Sequence, residues 1–220
     1  MPIKTCVFDA YGTLFDVHAA VRRHSGGIGA DAQLLSDIWR QKQLEYSWVR
    51  ALMGRYEDFW TLTEQALDFA LRKVPSVDAG LRDRLLEAYR SLDCYPEIPK
   101  VLTALRDRGA RLAILSNGSP SMLETAAASA GIADLLEEIV SVDEIRTYKT
   151  AEAVYELVAD RFRVFPEAVS FQSSHRWDIA GASAYGFRTV WINRSDQPDE
   201  YHDLPPAAVL PSVEGLLTLD

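Results

Sequence analysis

Short runs of apolar and β-branched residues recur along the chain, separated by polar or glycine-containing segments. Runs of this length and composition are typical of strands buried in a parallel sheet. Between them lie stretches with helical periodicity, such as "VLTALRDRG" and "SMLETAAASAG", in which a glycine stands where the helix would end. This alternation predicts an α/β fold built on a doubly wound parallel sheet. The predicted strands are residues 3–8, 111–115, 138–142, 168–172 and 188–192.

The alternation stops between residues 17 and 92, where the pattern is helical. The helical stretches are "AQLLSDIWRQKQLEYSWVRALMG", "YEDFWTLTEQALDFALRKV" and "GLRDRLLEAYRSL". Apolar positions of the last stretch keep a helical period, which predicts a face packed on the other two. After them "CYPEIP", with its two prolines, indicates the return to the α/β part. We therefore expect a core domain of residues 1–16 and 93–220, interrupted after its first strand by a helical cap of residues 17–92.

The composition restricts the class of partner. The chain of 220 residues has a formal net charge of -9, which argues against nucleic acid and anionic membranes, because both require clustered lysine and arginine. No stretch approaches the roughly 20 apolar residues that cross a bilayer, and no signal-peptide pattern is present. Cys6 and Cys94 lack a paired spacing and fit a reducing compartment. We expect a soluble, cytoplasmic protein that binds a small molecule.

Polar side chains follow four of the predicted strands, at the edge where open parallel sheets bind ligands. Asp9 follows the first strand, "SNGSPS" the second and "SSHRWD" the fourth, and Lys149 comes shortly after the third. Alone, Asp9 beside a glycine turn or Lys149 in a loop has an ordinary structural explanation. Together they predict a site in which the ammonium keeps a buried carboxylate ionised. Asp178 either caps a helix or faces Asp9, where it could help to orient and deprotonate water.

The segment "SNGSPS" indicates an anion site. Ser119 and Pro120 fit the N-cap and the first residue of a helix. Free backbone N–H groups at that end would favour a carboxylate or phosphate beside Ser116 and Asn117. The alternative is a polar turn that only caps its own helix, which explains Ser119 and Pro120 fully and the other two less well.

Several of these segments resemble one known family. "FDAYGTLFDV", "WRQKQLEYSW", "LMGRYEDFW", "LAILSNGSP", "SVDEI" and the Ser-Ser-X-X-Trp-Asp pattern of "FQSSHRWD" are similar to the L-2-haloacid dehalogenases of the haloacid dehalogenase superfamily, over residues 3 to about 193. The resemblance implies a Rossmann-like core with a helical cap, no cofactor and no metal, a short L-2-haloacid as substrate, and a homodimer. It also implies that Asp9 attacks C2 and that hydrolysis of the resulting aspartyl ester releases a D-2-hydroxy acid.

Position 11 distinguishes two activities within that superfamily. Most members are phosphatases, in which an acid two residues after the nucleophile protonates the leaving oxygen and further carboxylates hold Mg²⁺. Here that position is Tyr11, a poor acid near neutral pH, and Ser173, Ser174 and His175 precede a single Asp178. A halide departs as a stable anion and needs no proton, so we favour a dehalogenase. The alternatives are a Mg²⁺-dependent phosphatase and a protein that binds an anion without chemistry.

The resemblance implies a role for each matching residue. Asp9 is the nucleophile, and Arg40 binds the departing halide. The residues that would hold Asp9 and the hydrolytic water are Lys149, Tyr155, Ser173 and Asp178. Those that would line the pocket or bind the substrate carboxylate are Tyr11, Thr13, Gln41, Leu44, Phe59, Ser116, Asn117 and Trp177. Phe59 and Trp177 could instead be core aromatics, and Tyr155 could instead be a packing residue. Arg40 could instead pair with Asp37 on the surface.

Two positions depart from the family pattern. Thr150 stands where the family usually has proline, and His175 where it usually has asparagine. The imidazole of His175 titrates near neutral pH, so it could act as the base for ester hydrolysis, or it could reshape the substrate pocket. We expect a substrate range or rate that differs from those of relatives with asparagine.

Overall fold

A computed structural model describes residues 4–219, and its centre is a six-stranded sheet in the order β3-β2-β1-β4-β5-β6. Every neighbouring pair of strands is parallel. The predicted α/β fold with a doubly wound parallel sheet is therefore confirmed. The strands are β1 (Thr5–Phe8), β2 (Arg111–Ser116), β3 (Glu138–Ser141), β4 (Val169–Ser173), β5 (Arg188–Ile192) and β6 (Ala208–Leu210).

At most strand ends, the observed boundary differs from the predicted one by no more than one residue. The predicted strand 168–172 begins and ends one residue later, and Val142 belongs to the turn after β3 rather than to the strand. Residue 3, predicted as the start of β1, lies outside the described residues. The sequence pattern did not predict β6, which has only three residues at the sheet edge between Pro206 and Pro211. Short, proline-flanked edge strands carry little periodic signal.

Helices cover both faces of the sheet and fill the segment between β1 and β2. In that segment lie α1 (Ala19–Arg23), α2 (Ser25–Ile28), α3 (Ala32–Leu52), α4 (Phe59–Lys73) and α5 (Arg82–Arg90). The remaining helices are α6 (Ile98–Asp107), α7 (Pro120–Ser129), α8 (Glu152–Phe162) and α9 (Arg176–Tyr185). The three long helices predicted for residues 17–92 are present, and the short α1 and α2 were not predicted. Within residues 4–219, no helix combines the length and apolar character needed to cross a membrane.

The long helices α3 and α4 pack against each other through buried polar and apolar contacts. Asp58 caps α4 by accepting a hydrogen bond from the backbone N–H of Thr61 at 3.1 Å. The indole N–H of Trp39 on α3 donates to the carbonyl oxygen of Thr63 on α4 at 2.9 Å. Leu62 and Leu67 of α4 are fully buried. This packing sets the direction of α3, the helix that carries Arg40.

The strand order brings the candidate residues together. β1 lies between β2 and β4, so helices that follow these two neighbours leave the sheet on opposite sides of β1. A crevice forms beyond the carboxyl ends of the strands at such a switch point. Asp9, directly after β1, lies at that point.

Candidate active site

An ion triad forms the centre of the site. The ammonium Nζ of Lys149 lies 2.9 Å from Oδ1 of Asp9 and 2.8 Å from Oδ2 of Asp178. All three side chains are buried. Asp178 lies in the first turn of α9, whose N-cap position is His175, so the interpretation of Asp178 as an N-cap is wrong. Its carboxylate faces the same ammonium as Asp9.

Further hydrogen bonds fix the two carboxylates. The hydroxyl of Thr13 donates to Oδ2 of Asp9 at 2.9 Å, which directs its only proton to the nucleophile. The hydroxyl of Tyr155 donates to Oδ1 of Asp178 at 2.9 Å. Gly181 permits this approach, because a Cβ at that position would lie 2.5 Å from the Tyr155 hydroxyl oxygen. Thr13 and Tyr155 thus hold one carboxylate each in a defined orientation.

The environment moves the pKa values of the two carboxyl groups apart. Burial alone would raise the pKa of Asp9, but the charge and hydrogen bond of Lys149, with contributions from His175 and Arg40, outweigh it and the net shift is downward. Burial raises the pKa of Asp178, and the neighbouring Asp9 charge adds to this, against the opposing effect of Lys149. The pKa of Lys149 is raised because its two anionic neighbours outweigh its burial. Asp9 is therefore an anion suited to nucleophilic attack, and Asp178 is the more basic of the two.

The side chain of Arg40 extends from α3 to the loop after β1. Its Nη2 donates to the carbonyl oxygen of Tyr11 at 3.0 Å and lies 2.9 Å from Nε2 of His175. A surface pair between Arg40 and Asp37 is therefore wrong, and Asp37 instead accepts a hydrogen bond from Gln33 at 2.8 Å. The Nε of Arg40 is buried and has no hydrogen-bond partner among residues 4–219. A buried cationic donor of this kind favours an anion.

Aromatic rings form two walls beside the polar centre. The buried ring of Tyr11 stacks on Tyr89, with 5.7 Å between ring centroids, and lies 6.3 Å from the ring of Phe59. The ring of Trp177 stacks on His175 with centroids 5.4 Å apart. Burial raises the pKa of Tyr11 well above its ordinary value, so its phenol stays protonated. Tyr11 and Phe59 are core residues and also neighbours of the polar centre.

The backbone of the turn after β2 agrees with the prediction. The hydrogen bonds of its side chains differ from those expected. Ser119 occupies the N-cap position of α7 and Pro120 is its first residue, but the Ser119 hydroxyl makes no cap hydrogen bond. Its Oγ is buried without a hydrogen-bond partner in the described part of the chain. Oγ of Ser116 accepts from the N–H of Gly118 at 3.1 Å, and Oδ1 of Asn117 accepts from the backbone N–H of Lys149 at 3.0 Å. Ser116 and Asn117 thus also shape the turn themselves.

Gln41, Leu44 and Ser173 are among the predicted residues that make no hydrogen bond to the triad in the described structure. Gln41 is exposed, and Leu44 is partly buried. Oγ of Ser173 accepts from the backbone N–H of His175 at 3.2 Å, which orders the start of α9. The buried glutamine of α3 is Gln43.

Sequence reasoning missed Gln43 and Tyr89. The amide N–H of Gln43 donates to the hydroxyl of Thr63 at 3.0 Å. The amide oxygen Oε1 of Gln43 accepts from the hydroxyl of Tyr89 at 3.4 Å. Tyr89 in turn stacks on Tyr11. The available signal was helical spacing, because Gln43 follows Arg40 by three residues and shares its face of α3.

The comparisons with known proteins agree with one another. Residues 3–186 match the family described as haloacid dehalogenase-like hydrolase. The chain is 50% identical over 216 residues to (S)-2-haloacid dehalogenase 1 of Pseudomonas sp. strain CBS-3, covering 98% of this chain and 95% of the relative. It is 47% identical over 204 residues to (S)-2-haloacid dehalogenase 4A of Burkholderia cepacia, covering 92% and 88%. The solved L-2-haloacid dehalogenase from Xanthobacter autotrophicus with chloropropionic acid covalently bound matches with a TM-score of 0.91 at 35% identity, covering 99% of this chain and 98% of that chain.

The pKa of His175 predicts a pH-dependent contribution to stability. Burial, followed by the nearby Arg40 charge, lowers this pKa from 6.5 to about 4. Between those values the unfolded chain binds a proton that the folded chain does not, so the free energy of unfolding falls as the pH falls through this window. Between pH 7 and pH 5, the free energy of unfolding of the parent should fall by up to about 2 kcal/mol more than that of His175→Asn. Urea unfolding at both pH values measures the difference, and equal losses in the two proteins would contradict it.

Proposed function

This chain belongs to the haloacid dehalogenase-like hydrolase family, and on that premise we propose that it converts short L-2-haloalkanoic acids into D-2-hydroxy acids and halide. The observation that carries the proposal is an ionised, buried Asp9 next to Tyr11, a residue that cannot protonate a leaving group near neutral pH. The leaving group must then depart as a stable anion. The relatives named above as (S)-2-haloacid dehalogenases support the same choice.

The first step is displacement at C2. A carboxylate oxygen of Asp9 attacks C2 from the side opposite the halogen, the carbon–halogen bond breaks, and its electron pair leaves with the halide. The product is an aspartyl ester with inverted configuration at C2. Arg40, whose buried Nε has no hydrogen-bond partner among residues 4–219, would stabilise the halide. Ser116, Asn117 and the N-terminus of α7 are assigned to the substrate carboxylate.

The second step is hydrolysis of the ester. Asp178, whose pKa burial raises, takes a proton from a water molecule that attacks Cγ of Asp9. The ester C–O bond to Cγ breaks, and the departing alkoxide oxygen, which came from Asp9, takes the proton that Asp178 had accepted. The hydroxy acid leaves, and Asp9 loses the remaining water proton to solvent and is a carboxylate again. Lys149 stabilises the negative charge that develops on the Asp9 carbonyl oxygen, and Tyr155 orients Asp178.

A Mg²⁺-dependent phosphatase has less support. The space between Asp9 and Asp178 is filled by the ammonium of Lys149, which already uses one oxygen of each carboxylate. Magnesium prefers several oxygen ligands. Within residues 4–219, no three His, Cys, Asp or Glu side chains group closely enough to hold a metal ion. Position 11 also lacks the acid that an alkoxide leaving group requires.

We also propose that residues 17–92 form a cap over a core of residues 1–16 and 93–220. The cap contributes Arg40, which reaches the Tyr11 carbonyl, and Phe59, whose ring lies 6.1 Å from that of Tyr148. The site would then be complete only when cap and core are together. The free Cys6 and Cys94 support a reducing, cytoplasmic location.

The test of the function uses L-2-chloropropionate in the presence of a chelator, with p-nitrophenyl phosphate and Mg²⁺ in parallel. We expect stoichiometric chloride and D-lactate. Asp9→Asn should lower the rate by about 10⁴-fold or more, because it removes the nucleophile. The control is Asp203→Asn at an exposed carboxylate, which should keep the parent rate. Metal-dependent phosphate release without chloride would contradict the proposal.

A homodimer is proposed from exposed apolar side chains at the end of α3. Leu52 is 89% exposed and Met53 56% exposed, and Trp48 and Val49 lie one turn before them. Such a patch is typical of an interface. Sedimentation equilibrium should give twice the chain mass, and Leu52→Lys should give the monomer, whereas Leu34→Lys at another exposed leucine should not. A monomeric parent protein would contradict the proposal.

A further inference from the structure

A cavity beside the ion triad lies between helix α3 of the proposed cap and three segments of the proposed core. Its volume is about 520 Å³, within the range of pockets that hold small molecules. Its walls include the rings of Trp48 on α3, Trp177 on α9 and Tyr201. Lys149 also lines it, and Nζ of Lys149 lies 2.9 Å from Oδ1 of Asp9. The cavity and the nucleophile are therefore separated by no more than the length of one lysine side chain.

Aromatic rings stand between this cavity and Asp9. Trp177 lines the cavity, and its indole stacks on the ring of His175 with centroids 5.4 Å apart and an interplanar angle of 11°. Nε2 of His175 in turn lies 3.8 Å from Oδ2 of Asp9. Trp48 meets Trp177 edge-on, with 5.4 Å between ring centroids and an interplanar angle of 85°. The order from the cavity to the nucleophile is thus Trp177, His175 and Asp9, and Trp48 supports the first ring of that series.

The spacing along α3 places Trp48 in line with the site. Arg40, Leu44 and Trp48 are four residues apart, so they share one face of the helix. At 1.5 Å per residue, Trp48 lies about 12 Å along the helix axis from Arg40. Arg40 contacts the Tyr11 carbonyl beside the nucleophile, whereas Trp48 contacts Trp177 at the cavity. One face of α3 therefore runs from the proposed halide position to the paired indoles, with Leu44 between them.

The wall of the cavity on the side of the proposed core is fixed by Arg176. This buried arginine precedes Trp177 on α9, and its Nη2 donates to the backbone carbonyl oxygens of Tyr201 and Leu204, each at 2.9 Å. The loop that carries Tyr201 is thus held to the helix that carries Trp177. Trp48, by contrast, is 37% exposed, so its indole is the part of the wall that a substitution removes with the least loss of packing.

We propose that Trp48 and Trp177 form an aromatic barrier that sets the upper limit of substrate chain length, and that Trp48 is the specificity-determining residue of the pair. With the barrier in place, the alkyl group on C2 ends at Trp177, and the enzyme prefers short 2-haloacids. Without the Trp48 indole, Trp177 loses its edge contact, and a longer alkyl group extends past it into the cavity and is buried there. The inference rests on the proposed dehalogenase function, which places C2 beside Asp9.

The test compares L-2-chlorohexanoate with L-2-chloropropionate, as the ratio of kcat/KM for the long acid to kcat/KM for the short acid. Trp48→Ala should raise this ratio about tenfold or more over the parent, because even one methylene in an apolar pocket is worth about that much. Trp48→Phe keeps a ring against Trp177 and should stay within about threefold of the parent. Trp60→Ala removes a tryptophan of α4 that packs on Arg90, and it should leave the ratio unchanged.

Two further variants separate the barrier from other effects of the substitution. Adding Ala51→Leu, at another residue that lines the cavity, to Trp48→Ala should lower the ratio again toward the parent value, which a general loosening of the proposed cap would not explain. Met53→Lys changes the patch proposed as the dimer interface, to which Trp48 also belongs, at a position that is not among the described residues lining the cavity. It should keep the parent ratio, and a rise like that of Trp48→Ala would overturn the proposal by assigning the effect to subunit association.

An unchanged ratio in Trp48→Ala and in the more conservative Trp48→Leu would also overturn the proposal. Calorimetric binding of propionate and hexanoate, which carry no halogen, gives a second readout that needs no turnover. Trp48→Ala should favour hexanoate over propionate about tenfold more than the parent does, and equal relative affinities in the two proteins would contradict the barrier. A parent protein that releases no halide from any 2-haloacid would instead contradict the proposed function, and the binding measurement would still test the barrier.

Discussion

Two buried carboxylates share one ammonium in this protein, and the rest of the site depends on that contact. Without Lys149, burial and mutual repulsion would favour protonation of Asp9 or Asp178, and a protonated Asp9 is no nucleophile. With Lys149 and Arg40, two negative and two positive charges balance, so the site admits an anionic substrate without a large net repulsion. The parallel sheet supplies the geometry, because β1 and β4 are neighbours and end at the same edge.

The proposed cap and the proposed core depend on each other through a few contacts. Arg40 is anchored to the core by a backbone carbonyl, which has no charge to titrate, so its position should be insensitive to pH near neutrality. The rings of Tyr11 and Tyr89 are buried and stacked on each other, and burial raises the pKa of Tyr11, which makes it a poor acid. In the proposed function, Tyr11 thus favours a halide leaving group through its side chain and holds Arg40, the proposed halide-binding residue, through its backbone carbonyl.

Much of this site was predictable from the sequence because strand ends converge in a parallel sheet. Asp9, Lys149 and Asp178 could be identified by position alone, although the sequence could not decide between a cap and a site role for Asp178. Side-chain direction on a single long helix was less predictable: Gln41, which the resemblance assigns to the pocket, is exposed, and Gln43 is the buried glutamine. Arg40 and His175 meet at the backbone oxygen of Tyr11, and backbone contacts between distant segments leave no pattern in the sequence.

The central claim is that Asp9 itself forms a bond to the substrate, and isotope transfer in a single turnover tests this most directly. Excess enzyme is reacted with L-2-chloropropionate in H₂¹⁸O, and both the product and the peptide containing Asp9 are analysed by mass spectrometry. Because water attacks Cγ of the ester, the first product should carry unlabelled oxygen and the label should appear in the Asp9 carboxylate. Label in the first hydroxy acid, with Asp9 unlabelled, would mean that water attacks C2 directly and would contradict the account.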